Sequence, residues 1–377
     1  MTKRGRIDKL PPSRFVSRKI CVNTLFRIIL TMTVALCTPL LKAAEVDVDE
    51  VAYQALRPVV AALMNADDAE DLIARGEKLE RRDSLQAIAV YLAAVREDPK
   101  QMLAPYKVAS LFAYRGDYKL AERYLKVADE RGMWFGPLMA DDRNLIGLRQ
   151  TSTYKRVLAN TQNRYEQIAR DKVGAISVLN PSGTPASSVC RPVVVRLHGY
   201  GGNGELGEDY QSLADTGAIL LGINGTEMTD SVDSFRWIGP GFEGTHQAVQ
   251  SGLKKLATRQ CTDRKQIYLM GFSQGALHAG ALLAQHPDDY AGALLISPGG
   301  LQSTPTTSLA QGKRVVVIHG KMEAASNQEM SAEFRKLFSE AGDNKVRSVE
   351  HEAGHRYPDD WRTSLPQALH WLMGSEA

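Results

Sequence analysis

The stretch Gly271-Phe272-Ser273-Gln274-Gly275-Ala276 decides how this chain of 377 residues is interpreted. The apolar run Ile267-Tyr268-Leu269-Met270 precedes it, and a helix-like stretch from Ala276 to His286 follows it. A serine between two glycines at a strand-to-helix turn predicts a nucleophile elbow, in which the sharp turn lifts the hydroxyl above the sheet edge. Glycines are expected on both sides because such a turn leaves no room for bulky side chains. Ser273 is therefore the candidate nucleophile.

Short apolar runs recur on both sides of this turn, and several of them are separated by helical patterns at 244–258, 276–286 and 331–341. Alternating strands and helices predict an α/β fold with a mostly parallel sheet that is covered on both faces. The predicted strands are 175–179, 192–197, 218–223, 266–270, 292–296, 314–318 and 346–350. These elements place a catalytic domain at residues 173–377.

Residues 45–170 show almost no strand pattern and predict a small all-α domain. Small and aromatic residues recur there with a period of 34 positions, which resembles the tetratricopeptide repeat. A generic helical hairpin is the alternative interpretation. So few repeats cannot bury a core alone, so we expect them to pack on the neighbouring domain or on a protein partner. The residues of the pattern are Ala87, Tyr91, Ala94 and Pro99, followed by Ala121, Leu125 and Ala128.

Residues 1–43 have the composition of a targeting segment. They hold nine of the 46 basic residues and one of the 43 acidic ones, and Ile28 to Leu41 is mostly apolar. A basic start, a short apolar region and small residues afterwards predict a secretory signal peptide. A helix of that apolar length spans about 21 Å, less than the roughly 30 Å hydrocarbon core of a membrane. An uncleaved N-terminal anchor is the alternative, and in both cases we expect an exported protein, periplasmic or extracellular.

The rest of the chain carries 37 basic and 42 acidic residues once this segment is set aside. A mildly acidic body gives no support for nucleic-acid binding. Two of the four cysteines, Cys190 and Cys261, lie outside the targeting segment, each shortly before a predicted strand. In an oxidising compartment these two residues could form a disulfide, and two buried free thiols are the alternative.

A serine hydroxyl needs a base to take its proton, and the base needs an orienting acid. In this strand-turn-helix context the chain order is serine, acid, histidine. His355 follows the last predicted strand and is the candidate base. Glu323 follows the strand 314–318 and is the candidate acid, although aspartate is commoner there, with Glu329 and Asp343 as substitutes.

The oxyanion of such a reaction needs two backbone N–H groups. Gln274, directly after the nucleophile, is expected to supply one of them. The loop His198-Gly199-Tyr200-Gly201-Gly202 after an earlier strand is expected to supply the other from Tyr200, which leaves His198 a structural role.

Together these motifs resemble the α/β-hydrolase fold, and within it the small carboxylesterase/phospholipase branch that includes acyl-protein thioesterases. The resemblance covers about 175–377 and has no counterpart for the N-terminal helices. It implies Ser273 as nucleophile, His355 as base and Glu323 as acid, with no cofactor and a small ester as substrate. Phe235 and Trp237 are interpreted as lining the acyl pocket, with a place in the core as the alternative. The residues that carry the resemblance are 198–202, 271–275, Ser297-Pro298-Gly299, His319-Gly320 and Gly354-His355.

Other functions compete with an exported serine esterase. A thioesterase or a serine peptidase would use the same triad, and a binding protein would recruit a partner through residues 45–170. The motif His351-Glu352-Ala353-Gly354-His355 matches a zinc peptidase, with His370 as a third ligand, but that motif works only on a helix. The run 199–204 matches a dinucleotide-binding fingerprint, yet no acid follows the next strand to hold a ribose. We therefore expect no metal site.

Overall fold

The structure is a computed structural model that describes residues 56–63, 68–183 and 189–374. The described residues all belong to one compact unit. The predicted signal peptide or anchor at 1–43 lies outside the described residues, as does most of the predicted loop 181–188. No helix in the described ranges is long and apolar enough to cross a membrane.

The described part of residues 56–170 contains helices joined by short turns and no strand, as the sequence predicts. Several of these helices begin at side-chain caps: the carboxylate of Asp83 accepts hydrogen bonds from the N–H groups of Leu85 and Gln86, and that of Asp117 accepts one from the N–H of Leu120. The helices are α1 (Arg57–Leu63), α2 (Ala69–Leu79), α3 (Ser84–Glu97), α4 (Leu103–Tyr114), α5 (Tyr118–Glu130), α6 (Gly136–Asp141) and α7 (Ser152–Ala169), with a 3-10 helix at Arg143–Leu148.

The spacing of the helix starts can be compared with the 34-residue period of the sequence pattern. Helices α3 and α5 begin at Ser84 and Tyr118, which are 34 positions apart. The repeated alanines are buried where helices meet, because only small side chains allow such close contact. The fully buried positions of the pattern are Ala87, Tyr91, Ala94, Ala121, Leu125 and Ala128.

A seven-stranded sheet occupies the rest of the chain and confirms the predicted α/β class. Its strand order is β1-β3-β2-β6-β7-β8-β9, and every neighbouring pair is parallel except β1 with β3. A separate two-stranded hairpin lies between β3 and β6 in the chain and was not predicted. The strands are β1 (Ile176–Leu179), β2 (Arg191–Leu197), β3 (Ile219–Ile223), the hairpin β4 (Glu227–Met228) and β5 (Phe235–Arg236), β6 (Thr262–Phe272), β7 (Gly292–Ile296), β8 (Arg314–Gly320) and β9 (Lys345–His351).

Helices cover both faces of this sheet. Alternate residues of a strand point to opposite faces, so Val193 and Val195 lie in one apolar cluster and Val194 lies in the other. The first cluster includes α9 and α11 side chains, and the second includes α8 and α12 side chains. The helices are α8 (Gln211–Ala214), α9 (Glu243–Ala257), α10 (Gln274–Gln285), α11 (Ala325–Glu340) and α12 (Trp361–Met373).

Cys190 and Cys261 are joined in a disulfide. They immediately precede β2 and β6, which are hydrogen-bonded parallel neighbours, so the two cysteines enter the sheet side by side. The bond ties together two positions that are 71 residues apart in the chain.

Candidate active site

Ser273 lies in the turn between β6 and α10 with φ 53° and ψ −122°. A positive φ is uncommon for a residue other than glycine and marks a strained turn. The strain is fixed by close packing on both sides. A Cβ on Gly271 would lie 2.2 Å from the carbonyl oxygen of Gly275, and a Cβ on Gly275 would lie 2.1 Å from that of Leu197. Both positions therefore require glycine, which is the physical content of the Gly-x-Ser-x-Gly pattern.

His355 lies in the loop after β9 and reaches back to this serine. Its Nε2 atom is 2.8 Å from the Oγ of Ser273, although the two residues are 82 positions apart. The phenyl ring of Phe272 packs on the imidazole at a centroid distance of 5.2 Å and limits its movement. An imidazole nitrogen at this distance can accept the serine proton directly.

Glu323 follows β8, and its side chain is fully buried. Its Oε2 is 3.0 Å from the Nδ1 of His355, while Oε1 accepts hydrogen bonds from the Ser297 hydroxyl and the Gly320 N–H, both at 2.7 Å. Burial alone would raise the pKa of this carboxyl, but these three donors outweigh it, and the net effect is a lowered pKa. The group is therefore held ionised, as an orienting acid must be. The substitutes Glu329 and Asp343 are exposed elsewhere, on α11 and after it.

Two further residues at this site were not predicted as functional. Ser297 is fully buried after β7 with φ 49°, and its hydroxyl donates to Glu323. The amide of Asn327, in the first turn of α11, lies 3.0 Å from the Nδ1 of His355. Since the single ring proton is directed to Glu323, an amide oxygen turned toward the ring would accept a shared hydrogen bond. Ser297 was noted only as part of a motif, and Asn327 carried no sequence signal.

The loop that contains Tyr200 lies directly against the nucleophile. A Cβ on Gly199 would be 3.2 Å from the Cβ of Ser273. Within the described residues, the backbone N–H groups of Tyr200 and Gln274 donate no hydrogen bond to the protein. Both N–H groups are therefore available to a ligand, and their role as oxyanion donors stays a prediction.

The buried imidazole of His198 supports this loop and has no part in proton transfer. Its Nδ1 donates to the carbonyl of Gly199 at 2.7 Å, and its Nε2 accepts from the N–H of Gly225 at 2.9 Å. Burial lowers the pKa of His198 to about 4, with the contact to Gly199 opposing the shift, so the ring stays neutral near pH 7. The indole N–H of Trp237 donates to the His198 carbonyl at 2.8 Å and fixes the start of the loop.

A cavity of about 530 Å³ opens beside Ser273, large enough for an acyl chain. Trp237 is among its lining residues, although its side chain is itself 1% exposed and packs in the core against His198, and Phe235 is not among them. The Phe235 side chain is 1% exposed and packs under the Tyr200 loop near His198. The lining residues are Tyr200, Arg236, Trp237, Ile238, Gly239, Ser273, Gln274, Leu277, Gly300, Leu301 and Gln302.

The zinc-peptidase alternative is not supported by the geometry. His351 is the last residue of β9, Glu352 pairs with Lys321 at the surface, and His355 contacts Ser273 and Glu323, so the motif does not lie on a helix.

Among the described residues, one group of three side chains has potential ligand atoms close enough together to hold a metal ion: His246, His286 and Asp289. The two imidazoles stack with centroids 3.8 Å apart and 12° between their planes, so their in-plane lone pairs do not converge on one ion.

Comparisons with known proteins place the chain near esterases without showing its family. No family model matches it, so the likeness of residues 45–170 to tetratricopeptide repeats stays a prediction. The chain is 27% identical over 166 residues to the curated "Putative esterase NocK" of Nocardia uniformis subsp. tsuyamanensis. That match covers 42% of this chain and 47% of the relative, so the chain spans about half the relative's length.

Solved structures similar to this chain include two carboxylesterases. The Bacillus cereus carboxylesterase is 22% identical and covers 57% of this chain and 100% of its own, with a TM-score of 0.43. The carboxylesterase from Mesorhizobium loti is 23% identical and covers 48% and 89%, with a TM-score of 0.39. At these values the likenesses support no statement about chemistry, and the fold assignment rests on the strand order and the elbow themselves.

Proposed function

We propose that this chain is a serine hydrolase that cleaves carboxylic esters through an acyl-enzyme. The observation that carries the proposal is the unbroken series of contacts from Ser273 Oγ to His355 Nε2, and from His355 Nδ1 to the buried carboxylate of Glu323. Nucleophile, base and orienting acid in this order are the requirement for activating a serine hydroxyl.

In the first step, Ser273 Oγ attacks the ester carbonyl while His355 Nε2 takes the hydroxyl proton. The imidazolium that forms is stabilised by Glu323, whose lowered pKa keeps it ionised. The carbonyl oxygen becomes an oxyanion and accepts hydrogen bonds from the N–H groups of Tyr200 and Gln274. The removal of one such donor costs about a hundred- to a thousandfold in rate.

Collapse of the tetrahedral intermediate breaks the bond to the leaving alkoxide, which takes the proton from His355. The acyl group is then esterified to Ser273. A water molecule gives its proton to His355 and attacks the acyl carbonyl, and a second collapse releases the acid and returns the proton to Ser273. A thioester can follow the same route with a thiolate as leaving group, so thioester hydrolysis belongs to the proposal as an alternative substrate class.

Export to an oxidising compartment is part of the proposal. The disulfide between Cys190 and Cys261 supports it, because such bonds persist mainly in secreted and periplasmic proteins. Alkylation followed by mass measurement tests this. The account expects Cys190 and Cys261 to be alkylated only after reduction, and ready alkylation of both without reductant in protein purified from its native compartment would contradict export.

Turnover of p-nitrophenyl esters from acetyl to dodecanoyl, with a thioester series beside it, tests the activity. The account expects ester turnover that persists in excess chelator and that is lost in Ser273→Ala. The chain-length optimum then measures the usable depth of the cavity. Chelator-sensitive turnover, or full activity in folded Ser273→Ala protein, would overturn the proposal.

A further inference from the structure

The wall of the cavity beside Ser273 is formed by the end of the β4–β5 hairpin. Arg236 is the last residue of β5, and it lines the cavity together with the three residues that follow it, 237–239. The hairpin lies outside the seven-stranded sheet, and besides its own pairing it makes one isolated bridge, between Phe235 and Gly202. A two-stranded hairpin is marginally stable on its own, so other contacts must fix its position.

The helical segment, the described part of residues 56–170, supplies two of those contacts. The carboxylate of Asp141, the last residue of α6, lies 2.6 Å from the Nη2 of Arg236. The hydroxyl of Tyr165, on α7, accepts a hydrogen bond from the N–H of Met228 in β4 at 3.1 Å. One contact therefore holds each strand of the hairpin.

Arg236 and Tyr165, one residue from each contact, are each held by a further interaction. The Asp141 side chain is 65% exposed, but the Arg236 side chain that it meets is only 12% exposed and also bonds the buried carboxylate of Glu227 across the hairpin, with its Nε 2.6 Å from Oε1. The ring of Tyr165 stacks on Trp134 with 20° between the planes. At the tip of the hairpin, Lys172 pairs with Asp233, but both side chains are exposed and such pairs contribute little.

From the hairpin, the contacts continue to the groups that would hold the oxyanion. The N–H of Gly201, next to Tyr200, donates to the carbonyl of Phe235 at 2.9 Å, and the N–H of Phe235 donates to Gly202 at 2.8 Å. The side-chain amide of Gln274 bonds both the N–H and the carbonyl of Trp237 at 3.0 Å. Phe235 and Trp237 flank Arg236 in the chain, so a shift of Arg236 moves both of these attachments.

We infer that the helical segment is a working part of the active site, in which Asp141 and Tyr165 act as positioning residues that fix the cavity wall and the oxyanion groups through the β4–β5 hairpin. The inference rests on the proposed ester hydrolysis. It gives residues 45–170 a role inside this chain, beyond recruitment of a partner. Neither residue lines the cavity or is hydrogen-bonded to Ser273, His355 or Glu323, so we expect their loss to leave the contacts among those three residues in place.

The test compares Asp141→Asn, Tyr165→Phe and the double variant with wild type. The matched control is Asp209→Asn, which removes the carboxylate of an exposed pair with Arg362 that does not contact the hairpin. Reaction with a serine-directed phosphonate counts the competent sites, and kcat and KM are measured along the ester series. For the double variant we expect kcat per titrated site to fall about tenfold, with a changed chain-length optimum, while the control stays within about twofold.

Asp141→Glu, which keeps the charge, should recover most of the rate lost in Asp141→Asn. A double variant with wild-type kcat per site and an unchanged chain-length optimum would overturn the inference and leave the proposed function intact. The same loss in Asp209→Asn would also overturn it, since the effect would not depend on the hairpin. If wild-type protein neither reacts with the phosphonate nor hydrolyses any ester, the proposed function itself is contradicted. Tyr165→Phe removes a single hydroxyl and keeps the test valid if the double variant is unstable.

Discussion

Glu323 and Tyr200 would both assist Ser273, but they are held in place by different parts of the structure. Glu323 is buried, follows a central strand, and accepts three hydrogen bonds from groups within the α/β part of the chain. The Tyr200 side chain is 59% exposed, and its loop depends on a small hairpin that the helical segment supports. The acid side of the site, meaning Glu323 and its hydrogen-bond donors, is thus held by the sheet. The oxyanion side, meaning the N–H groups of Tyr200 and Gln274, is held by contacts between distant parts of the chain. This difference implies that substitutions at the hairpin or its supports should impair oxyanion stabilisation and substrate fit, while proton transfer between Ser273 and His355 is retained.

The largest loss of activity should come from removing His355, the base on which proton transfer depends. We expect His355→Ala to lower kcat/KM for ester hydrolysis by roughly 10⁴-fold or more, because members of a triad act as a unit. The matched control is His351→Ala, which removes the other histidine of the zinc-like motif but touches neither Ser273 nor Glu323. Steady-state kinetics on folded protein check this. Equal losses in the two variants would revive the metal alternative.

The next largest effect tests the acid side. We expect Glu323→Gln to lower kcat by about 10³- to 10⁴-fold, since a neutral amide cannot stabilise the imidazolium. Glu323→Asp should be intermediate, because a side chain shorter by one methylene cannot reach both His355 and the Ser297 and Gly320 donors. Glu329→Gln, on the exposed face of α11, is the control and should retain wild-type kinetics. Activity in Glu323→Gln equal to that of Glu329→Gln would remove Glu323 from the mechanism.

A pair of glutamines compares the two sides directly. The side chain of Gln274 bridges to Trp237 with two hydrogen bonds, and that of Gln328 bridges to the carbonyls of Lys321 and Glu323 with two. We expect Gln274→Ala to lower kcat about tenfold or more, and Gln328→Ala by no more than about threefold, because the Glu323 carboxylate keeps all three of its donors. Kinetics at matched numbers of titrated sites measure both. The reverse order would show that the acid side is the fragile one.

Sequence alone predicts the parts of the site that depend on local pattern. Ser273 and its two glycines are set by the sterics of a turn, and the central strands are apolar runs long enough to be buried. The β4–β5 hairpin was not predicted because strands of two residues leave no recognisable pattern in the sequence. Tertiary contacts with Asp141 and Tyr165 hold them in place. Ser297 and Asn327 were missed as functional residues for a similar reason: each meets its partner through the fold, across 26 and 28 positions. For Phe235 the alternative place in the core is the one observed, and the sequence could not decide between the two because the burial of this side chain depends on tertiary contacts with the Tyr200 loop and His198.

The smallest effect concerns stability as a function of pH. The folded-state pKa of Glu323 lies below its ordinary value of 4.5, so the ionised carboxylate stabilises the folded protein above that pH. The contribution is lost as the pH falls through the lowered, folded-state pKa. We therefore expect the difference in Tm between wild type and Glu323→Gln to be constant at neutral pH and to shrink below about pH 4.5. A difference that grows on acidification would contradict the lowered pKa.

The most direct test of the central claim is to locate the residue that a fluorophosphonate modifies. Intact-mass measurement followed by peptide mapping should show one adduct, on Ser273, that forms in wild type and not in Ser273→Ala. Labelling should slow strongly in His355→Ala but proceed in Asp141→Asn, since that variant keeps the activated serine. An adduct on another serine, or ester turnover that persists after Ser273 is fully modified, would contradict the account.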